Sequence, residues 1–357
     1  RQSSRVMALT ITQRYRPFSH ISGTMCLLPG SSLAVQIFAS RMVVFDYSHI
    51  QPEPIFCLEF VSLGPLDQFT VLQDLEGCKI VVSGFAKSGF VRYIITPQEL
   101  VFEKLVGEVG CVKKPSNTRF SIVRGQKIAF GDALSQTALG PRERLFLGVD
   151  KSQEWPQVVR RSLMPEVLPY IYWLSQSIVL PKEQHLPGPS LLNSLQEAII
   201  QQKRAEVITH FKALFTAGFG HQLVPRLEDS EYKGYDLPVV GPQAACPLVL
   251  LGECKKCIRS LFFQEDQGHL RILPLLPPEC ASGVFADIIT TKGHKISIEW
   301  TKHIVRRVQI VAAVDDELKV SFQNEITSFC HDRVRHTAPA SQKVRANHTY
   351  LFDNFKK

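Results

Sequence analysis

The stretch from Leu270 to Trp300 constrains the fold more than any other part of the chain. Pro274, Pro277 and Pro278 cannot donate to a β-ladder, so the residues before them predict a short or edge strand that turns interrupt. A second strand is predicted from Val284 to Thr290, because glycines flank it on both sides. A compact β unit therefore begins in this part of the chain.

The segment from His294 to Trp300 alternates strictly between apolar and polar residues. Ile296, Ile298 and Trp300 fall on one face of a strand, and polar residues fall on the other. We predict that the apolar face lies in the core. On this prediction the Trp300 ring is buried and is not displayed on the surface.

The first 150 residues read as short strands separated by turns. Apolar runs of strand length recur between residues 18 and 123, with glycine and proline turn signals between them. The Pro29-Gly30 pair between Met25–Leu28 and Leu33–Phe38 predicts a hairpin. Regular short strands with turns predict an antiparallel β-sandwich over residues 1–150.

Helical patterns replace strand patterns from Ser152 onward. Pro156 and Pro165 suit the first turns of helices, and Ser162 suits a helix cap. A single further helix is predicted from Ser190 to Gly218. Residues 151–245 are therefore interpreted as a helical linker region.

Residues 246–357 are predicted to form a helix followed by a C-terminal β domain. The helix covers Leu248 to Phe263, and the turn chemistry between Ile304–Ala312 and Leu318–Gln323 favours a hairpin of those two strands. The expected fold class is α+β and mostly β. It has an N-terminal antiparallel β-sandwich, a short helical middle region and a C-terminal β-sandwich.

The C-terminal pattern resembles a known family. A helix leads into the strand GHLRILPLLP, a Ser-Gly-Val turn follows, and an ISIEW strand comes after a glycine. Over residues of about 246–353 this order resembles the C-terminal β domain of family 95 glycoside hydrolases (α-L-fucosidases) and their family 65 relatives. These enzymes also begin with a large β-sandwich, so the resemblance implies a similar placement of the N-terminal domain.

The opening of the chain carries a second resemblance. The residues RYRPFSH, followed by Gly23 and Thr24, are similar to the opening of uncharacterised conserved proteins of chlamydial bacteria. This resemblance implies a bacterial protein and brings no activity with it.

Enzymes of the two hydrolase families hold their acid and base carboxylates in a barrel of twelve helices between the β regions. Residues 151–263 number 113, whereas twelve helices of average length need about 130 residues before any loop. The barrel does not fit. We therefore expect a non-catalytic protein that binds carbohydrate or acts as a scaffold, with no cofactor.

The alternative is a reduced glycoside hydrolase or phosphorylase. Its candidate carboxylates are Glu228, Asp229, Glu231 and Asp236, since two carboxylates in one pocket can act as acid and base. We favour a solvated acidic loop over this catalytic interpretation, because structural charges outnumber functional ones.

Nine cysteines form an odd, scattered set that favours buried reduced thiols over disulfides. Cys254 and Cys257 have the spacing of half a zinc ribbon, but such sites use two pairs. We therefore predict no metal site and a cytoplasmic location.

Four aromatic residues in the helical region are candidates for a sugar-stacking platform. They are Trp155, Tyr170, Tyr172 and Trp173. At helical spacing such residues more often pack into a neighbouring sheet, so we predict that they belong to the core.

The formal charge of +8 is divided between residues 1–150 and residues 241–357. The basic stretch with Arg333, Arg335, Lys343 and Arg345 motivates a nucleic-acid hypothesis, but no recognition motif accompanies it. No run of 18 apolar residues exists, so no membrane span is predicted. The chain begins at Arg1, so a truncated N-terminus and a removed signal both stay open, as does the oligomeric state.

Overall fold

The computed structural model describes residues 8–49, 53–61, 63–130, 142–180, 190–218, 247–323 and 325–357. The fold is α+β and mostly β, with antiparallel sheets at both ends of the chain and helices in the middle, as the sequence predicts.

Strands dominate the first part of the chain. They are β1 (Phe18–Ser19), β2 (Thr24–Leu27), β3 (Leu33–Ile37), β4 (Arg41–Asp46), β5 (Glu53–Phe60), β6 (Asp67–Asp74), β7 (Lys79–Ala86), β8 (Gly89–Ile95), β9 (Glu99–Lys104), β10 (Glu108–Lys114), β11 (Thr118–Val123), β12 (Lys127–Ala129) and β13 (Arg144–Phe146).

Helices follow, and then the remaining strands. The helices are α1 (Trp155–Arg161), α2 (Met164–Ser177), α3 (Ser190–Ile200), α4 (Arg204–Gly218) and α5 (Pro247–Phe262). The strands are β14 (Phe263–Asp266), β15 (His269–Ile272), β16 (Gly283–Ile289), β17 (Lys295–Thr301), β18 (Ile304–Val311), β19 (Asp316–Ser321), β20 (Ser328–His331), β21 (Val334–Thr337), β22 (Ala340–Val344) and β23 (Thr349–Lys356).

Two six-stranded sheets form the N-terminal sandwich. Sheet 1 has the order β1-β6-β7-β8-β9-β12, and sheet 2 has the order β11-β10-β5-β4-β3-β2. Their inner faces meet through aromatic rings, since the Phe60 ring of sheet 2 lies 5.5 Å from Tyr93 and 5.7 Å from Phe102 of sheet 1. The predicted hairpin around Pro29-Gly30 is confirmed as β2 paired with β3.

The C-terminal region contains sheet 3, in the order β13-β16-β17-β18-β23-β20-β21, and sheet 4, in the order β14-β15-β19-β22. Phe322, which follows β19, contacts Phe329 of β20 at 5.1 Å and thereby joins the two sheets. The strand β13 pairs with β16, so a segment before residue 150 belongs to the C-terminal sheet.

The predicted hairpin between the strands now called β18 and β19 is wrong. β18 pairs with β17 and β23 in sheet 3, whereas β19 pairs with β15 and β22 in sheet 4. Two carboxylates stabilise the crossover between the sheets. Asp315 accepts a hydrogen bond from the Ala346 amide at 2.7 Å, and Asp316 accepts a hydrogen bond from Lys292 at 2.7 Å. Turn chemistry alone does not say which sheet the chain enters next.

Helix α2 connects the two β regions. The Tyr170 hydroxyl donates to Gln73 of β6 at 2.8 Å. The Tyr172 ring lies 5.5 Å from Phe285 of β16. Two residues on one helix therefore pack into different sheets, and α2 is buried along most of its length.

One detail of the helical region corrects the sequence predictions. The helix predicted from Ser190 to Gly218 is two helices, because Gln202 has a positive φ of 56° that an α-helix does not accept. Ser162 caps a helix, as predicted, and it does so at the C-terminal end of α1 in the left-handed conformation. Pro156 and Pro165 occupy first turns, as predicted.

Trp300 is fully buried, which confirms the assignment of the β17 faces. Its ring stacks on Phe262 of α5 at 5.4 Å, and its indole N–H donates to the Cys280 carbonyl at 3.0 Å. None of the helices in the described ranges is long and apolar enough to cross a membrane.

Candidate functional site

The carboxylates proposed from the sequence do not lie in the described part of the chain. Glu228, Asp229, Glu231 and Asp236 fall in the range 219–246. Among the described residues, two exposed aromatic rings lie on the outer face of sheet 1.

Two exposed aromatic rings lie side by side on that face. Phe85 of β7 and Phe90 of β8 are directly opposite each other in the hairpin, with ring centroids 5.2 Å apart. Their exposures are 46% and 40%, and no other Phe, Tyr or Trp side chain is exposed in the part of the chain that the structure describes. The two adjacent rings form a small exposed apolar patch, which is a candidate binding surface.

Five apolar side chains, one from each of five neighbouring strands, form a row across the same face. They are Phe18, Leu72, Val81, Ile94 and Val101, paired in that order across β1, β6, β7, β8 and β9. We call this set the apolar row. It ends at Lys127 of β12, which pairs with the last of the five.

Burial shows that the apolar row points away from the core. Ile80 and Val82 flank Val81 and are completely buried, so Val81 must face the other side of β7. All five side chains of the row are half-buried. None belongs to the core cluster or to the partly buried side chains packed against it. The row is therefore a surface feature.

Hydrogen-bonding groups run beside the apolar row. Thr70 pairs with Ser83, and Ser83 pairs with Arg92, so a polar row separates the apolar row from the two exposed rings. Arg92 forms an ion pair with Glu103 at 3.0 Å. At the other end of the face, Lys127 and Glu99 form a second pair at 2.7 Å. These cations are each compensated by a carboxylate.

The aromatic platform considered in the helical region is core, as predicted. Trp155, Tyr170, Tyr172 and Trp173 are all buried. A recess lined by Tyr15, Trp155 and Tyr170 has an empty volume of about 320 Å³ that includes open solvent. Its enclosed part holds about one water and not a sugar ring.

A buried carboxylate directly before β13 is part of the structural framework. Glu143 accepts hydrogen bonds from the Arg259 Nε at 3.0 Å, from the Ile289 amide at 2.9 Å and from the Tyr172 hydroxyl. Burial acts to lower the pKa of Arg259, but the hydrogen bonds to Glu143 and the attraction of nearby negative charges together outweigh it, so the pKa is raised. Burial together with the Glu143 charge raises the pKa of Tyr172. This network ties α2 and α5 to β16.

The cysteines of the described chain are free thiols. Burial raises the pKa of Cys111, Cys257 and Cys280 to about 12, so these thiols stay protonated at neutral pH. The described residues contain no group of three or more His, Cys, Asp or Glu side chains placed to hold a metal. Cys254 and Cys257 lie on α5 and are buried.

The basic residues near the C-terminus are distributed over the edges of two sheets. Arg335 lies on β21 and donates to Ser328 at 2.9 Å, while Lys343 lies on β22 of the other sheet. Arg333 and Arg345 lie in the adjoining turns. The structure therefore does not bring these cations together with the exposed rings of sheet 1.

Comparison with known proteins adds no relative: no family model matches the chain, and a search of curated proteins finds no match.

Sequence reasoning missed the outer face of sheet 1, although a signal was present. The run Ile80-Val81-Val82 in β7 and the pair Ile94-Ile95 in β8 are continuous rather than alternating. A strand with one wet face alternates, whereas a continuous apolar run indicates that both faces are apolar.

Proposed function

We propose that this protein is a non-catalytic carbohydrate-binding scaffold and that the outer face of sheet 1 is its binding face. The observation that carries the proposal is the exposed pair Phe85 and Phe90. A sugar ring has an apolar face of C–H groups that packs against an aromatic ring, while its hydroxyls need hydrogen-bonding partners nearby. Aromatic side chains supply that contact area at a low cost in conformational entropy.

The scaffold part of the proposal rests on the hydrogen bonds of the buried carboxylates and on the position of helix α2. Glu143 is engaged by Arg259 and Tyr172, and Glu166 is paired with Arg161. Buried carboxylates bound in this way hold elements together and are not positioned to exchange protons with a ligand. Helix α2 joins the two β regions, which suits a chain that presents one face rigidly.

We also propose that the C-terminal β unit is related to the β domains of family 95 and family 65 glycoside hydrolases. The support is the order of elements from α5 through β17 and the ISIEW strand. A reducing compartment such as the cytoplasm is the proposed location, because free thiols in the described chain suit such a compartment.

Affinity electrophoresis through gels containing soluble glycans tests the proposal. The chain is run through glycogen, mannan, xylan and hydroxyethylcellulose, beside the double variant Phe85→Ala/Phe90→Ala. We expect at least one glycan to retard the parent and the dissociation constant to rise at least tenfold in the variant. Val334→Ala, which truncates an exposed apolar side chain on sheet 3, is the matched control and retains binding.

Three results would overturn the proposal. The first is a parent chain that no glycan retards, and the second is a Phe85→Ala/Phe90→Ala variant that is retarded as strongly as the parent. The third is turnover of aryl glycosides or sugar phosphates that disappears in Glu228→Gln or Asp229→Asn, which would establish the hydrolase or phosphorylase alternative.

A further inference from the structure

The charges beside the two exposed rings point to the kind of glycan that this face binds. We propose that the ligand is an acidic polysaccharide, in which one sugar packs on Phe85 and Phe90 and a carboxylate of the chain pairs with Lys104. This inference rests on the proposed function and narrows it from carbohydrate in general to a glycan that carries carboxylate groups, as uronic acids do.

The position of Lys104 is the first argument. Lys104 continues the polar row onto β9, because it lies directly opposite Arg92 of β8. Phe90 is two residues from Arg92 on the same face of β8, so Phe90 and Lys104 are diagonal neighbours. Diagonal neighbours in an antiparallel sheet are about 7 to 8 Å apart. A sugar on the Phe90 ring therefore brings its substituents within reach of the Lys104 ammonium.

The free charge of Lys104 is the second argument. Its side chain is exposed, and within the described ranges it forms no ion pair and no hydrogen bond. The nearest carboxylate along β9 is Glu103, which is paired with Arg92 at 3.0 Å. The Lys104 charge is therefore uncompensated and lies beside an apolar surface. A ligand that is apolar on one side and carries an anionic group matches both features.

The distribution of charge around the rings is the third argument. On the β9 side, the exposed Arg124 adds a second cation, whose Nε donates to the Glu103 backbone carbonyl at 3.1 Å. No carboxylate of the described residues forms an ion pair with Arg124. On the other side, the exposed Asp67 of β6 is the strand partner of Phe85. An acidic sugar on the rings is thus oriented with its carboxylate toward β9.

The polar row also supplies partners for the sugar hydroxyls. Ser83 is two residues from Phe85 on the same face of β7, and it lies opposite Arg92. A serine hydroxyl both donates and accepts hydrogen bonds, as a sugar hydroxyl does. Ring contact, hydroxyl contact and a carboxylate contact can therefore be made by one sugar and its neighbour in the chain.

Single-stranded nucleic acid is another anionic polymer that packs on aromatic rings. It binds along a positively charged groove in which several rings each stack a base. Phe85 and Phe90 lie 5.2 Å apart and are tilted by 55°, so they form a single platform. Glu99 and Glu103 lie on β9, where a phosphate backbone would require cations. One platform with a local positive charge fits an acidic glycan better.

Matched pairs of neutral and carboxylated glycans test the inference by affinity electrophoresis of the full chain. Glycogen and mannan are compared with the same polymers after oxidation of their primary hydroxyls to carboxylates, xylan with glucuronoxylan, and hydroxyethylcellulose with carboxymethylcellulose. We expect the carboxylated member of at least one pair to bind about three- to fivefold more tightly, as one exposed ion pair allows. The preference should fall below about twofold in Lys104→Gln/Arg124→Gln.

A charge-matched control separates this site from the general attraction of a basic protein to polyanions. Lys319→Gln/Lys343→Gln removes two exposed cations from sheet 4 and should keep the preference of the parent. Both double variants should melt like the parent, because all four side chains are exposed. Lys104→Gln alone should also reduce the preference, and it leaves the Arg124 hydrogen bond intact.

The remaining outcomes separate the two proposals. Equal binding of neutral and carboxylated glycans, with binding lost in Phe85→Ala/Phe90→Ala, would reject the acidic ligand and keep the carbohydrate face. A preference that survives in both Lys104 variants, or that the sheet 4 control loses equally, would reject the Lys104 site. Displacement of every bound glycan by an equal mass of poly(U) would make single-stranded nucleic acid the occupant. Absence of retardation by all neutral and carboxylated glycans would reject the proposed function itself.

Discussion

Two rows of apolar side chains in this protein have opposite surroundings. Ile296, Ile298 and Trp300 of β17 are completely buried, and the Trp300 ring stacks on Phe262 of α5. The apolar row of sheet 1 is half-buried, and none of its members packs against the core cluster. A helix packs on one row, and the other row lies half-buried on the outer face of sheet 1.

The difference in burial determines how much each row contributes to stability and how much remains for binding. Burying an apolar side chain stabilises the folded state by about 1.5 to 3 kcal/mol relative to leaving it exposed. The β17 row contributes this to folding. The apolar row of sheet 1 contributes only part of it, and the remainder becomes available when a ligand covers the row. Mutations in the two rows should therefore separate stability from binding.

We expect the largest loss of stability from a substitution in the buried row of β17. Trp300→Ala removes a fully buried ring and its hydrogen bond to the Cys280 carbonyl. We expect the free energy of unfolding to fall by about 3 to 5 kcal/mol, measured by denaturant titration. Val334→Ala, on an exposed position of the same sheet, should change it by less than about 0.5 kcal/mol. A Trp300→Ala chain as stable as the parent would show that the ring is not core.

The next effect tests how closely the covered row is packed. A Cβ added at Gly283 would overlap Trp300 and lie 2.7 Å from the Phe146 carbonyl oxygen. Gly283→Ala should therefore lower the free energy of unfolding by about 1 to 3 kcal/mol through overpacking. Gly110→Ala on β10 is the control, since its nearest neighbour would lie at 3.7 Å. Equal melting temperatures for the two variants would contradict this packing.

The covered row was predictable from the sequence, and the outer face was not. Strict alternation from His294 to Trp300 assigns both faces of β17. In β7 the run Ile80-Val81-Val82 is apolar on both sides, so the pattern alone cannot say which side meets sheet 2. The pairing of Val81 with Leu72 and Ile94 becomes visible only when the strand register is known.

Long-range pairing explains the other differences. The residues between β18 and β19 suit a hairpin turn, but the local sequence pattern does not reveal that β19 pairs with β15, 50 residues earlier in the chain. The break between α3 and α4 comes from the single backbone angle at Gln202. The acidic candidates Glu228 and Asp229 remain a prediction, because they lie outside the described residues.

A smaller effect is expected on the pH dependence of stability, through Asp316 at the start of β19. The hydrogen bond from Lys292, opposed in part by burial and assisted by His294, lowers the pKa of Asp316. A carboxyl whose pKa is lower in the folded state stabilises the fold above its unfolded pKa, about 3.9, and loses this contribution as pH falls through the folded value.

Acid unfolding curves measure this contribution. The difference in unfolding free energy between parent and Asp316→Asn should shrink as pH is lowered from 5 to below about 3.9. Asp67→Asn, at an exposed position of β6, is the control and should follow the parent. A difference that stays constant across this window would contradict the role assigned to Asp316.

The most direct test of the account compares stability and binding in one variant of the uncovered row. For Val81→Ser/Ile94→Ser we predict a fall in the free energy of unfolding of about 1 to 3 kcal/mol, smaller than that for Trp300→Ala, with at least a tenfold loss of affinity for the glycan that retards the parent. The same two measurements on Trp300→Ala should show the reverse order of effects. A row variant that unfolds as readily as Trp300→Ala, or binds the polysaccharide like the parent, would contradict the account.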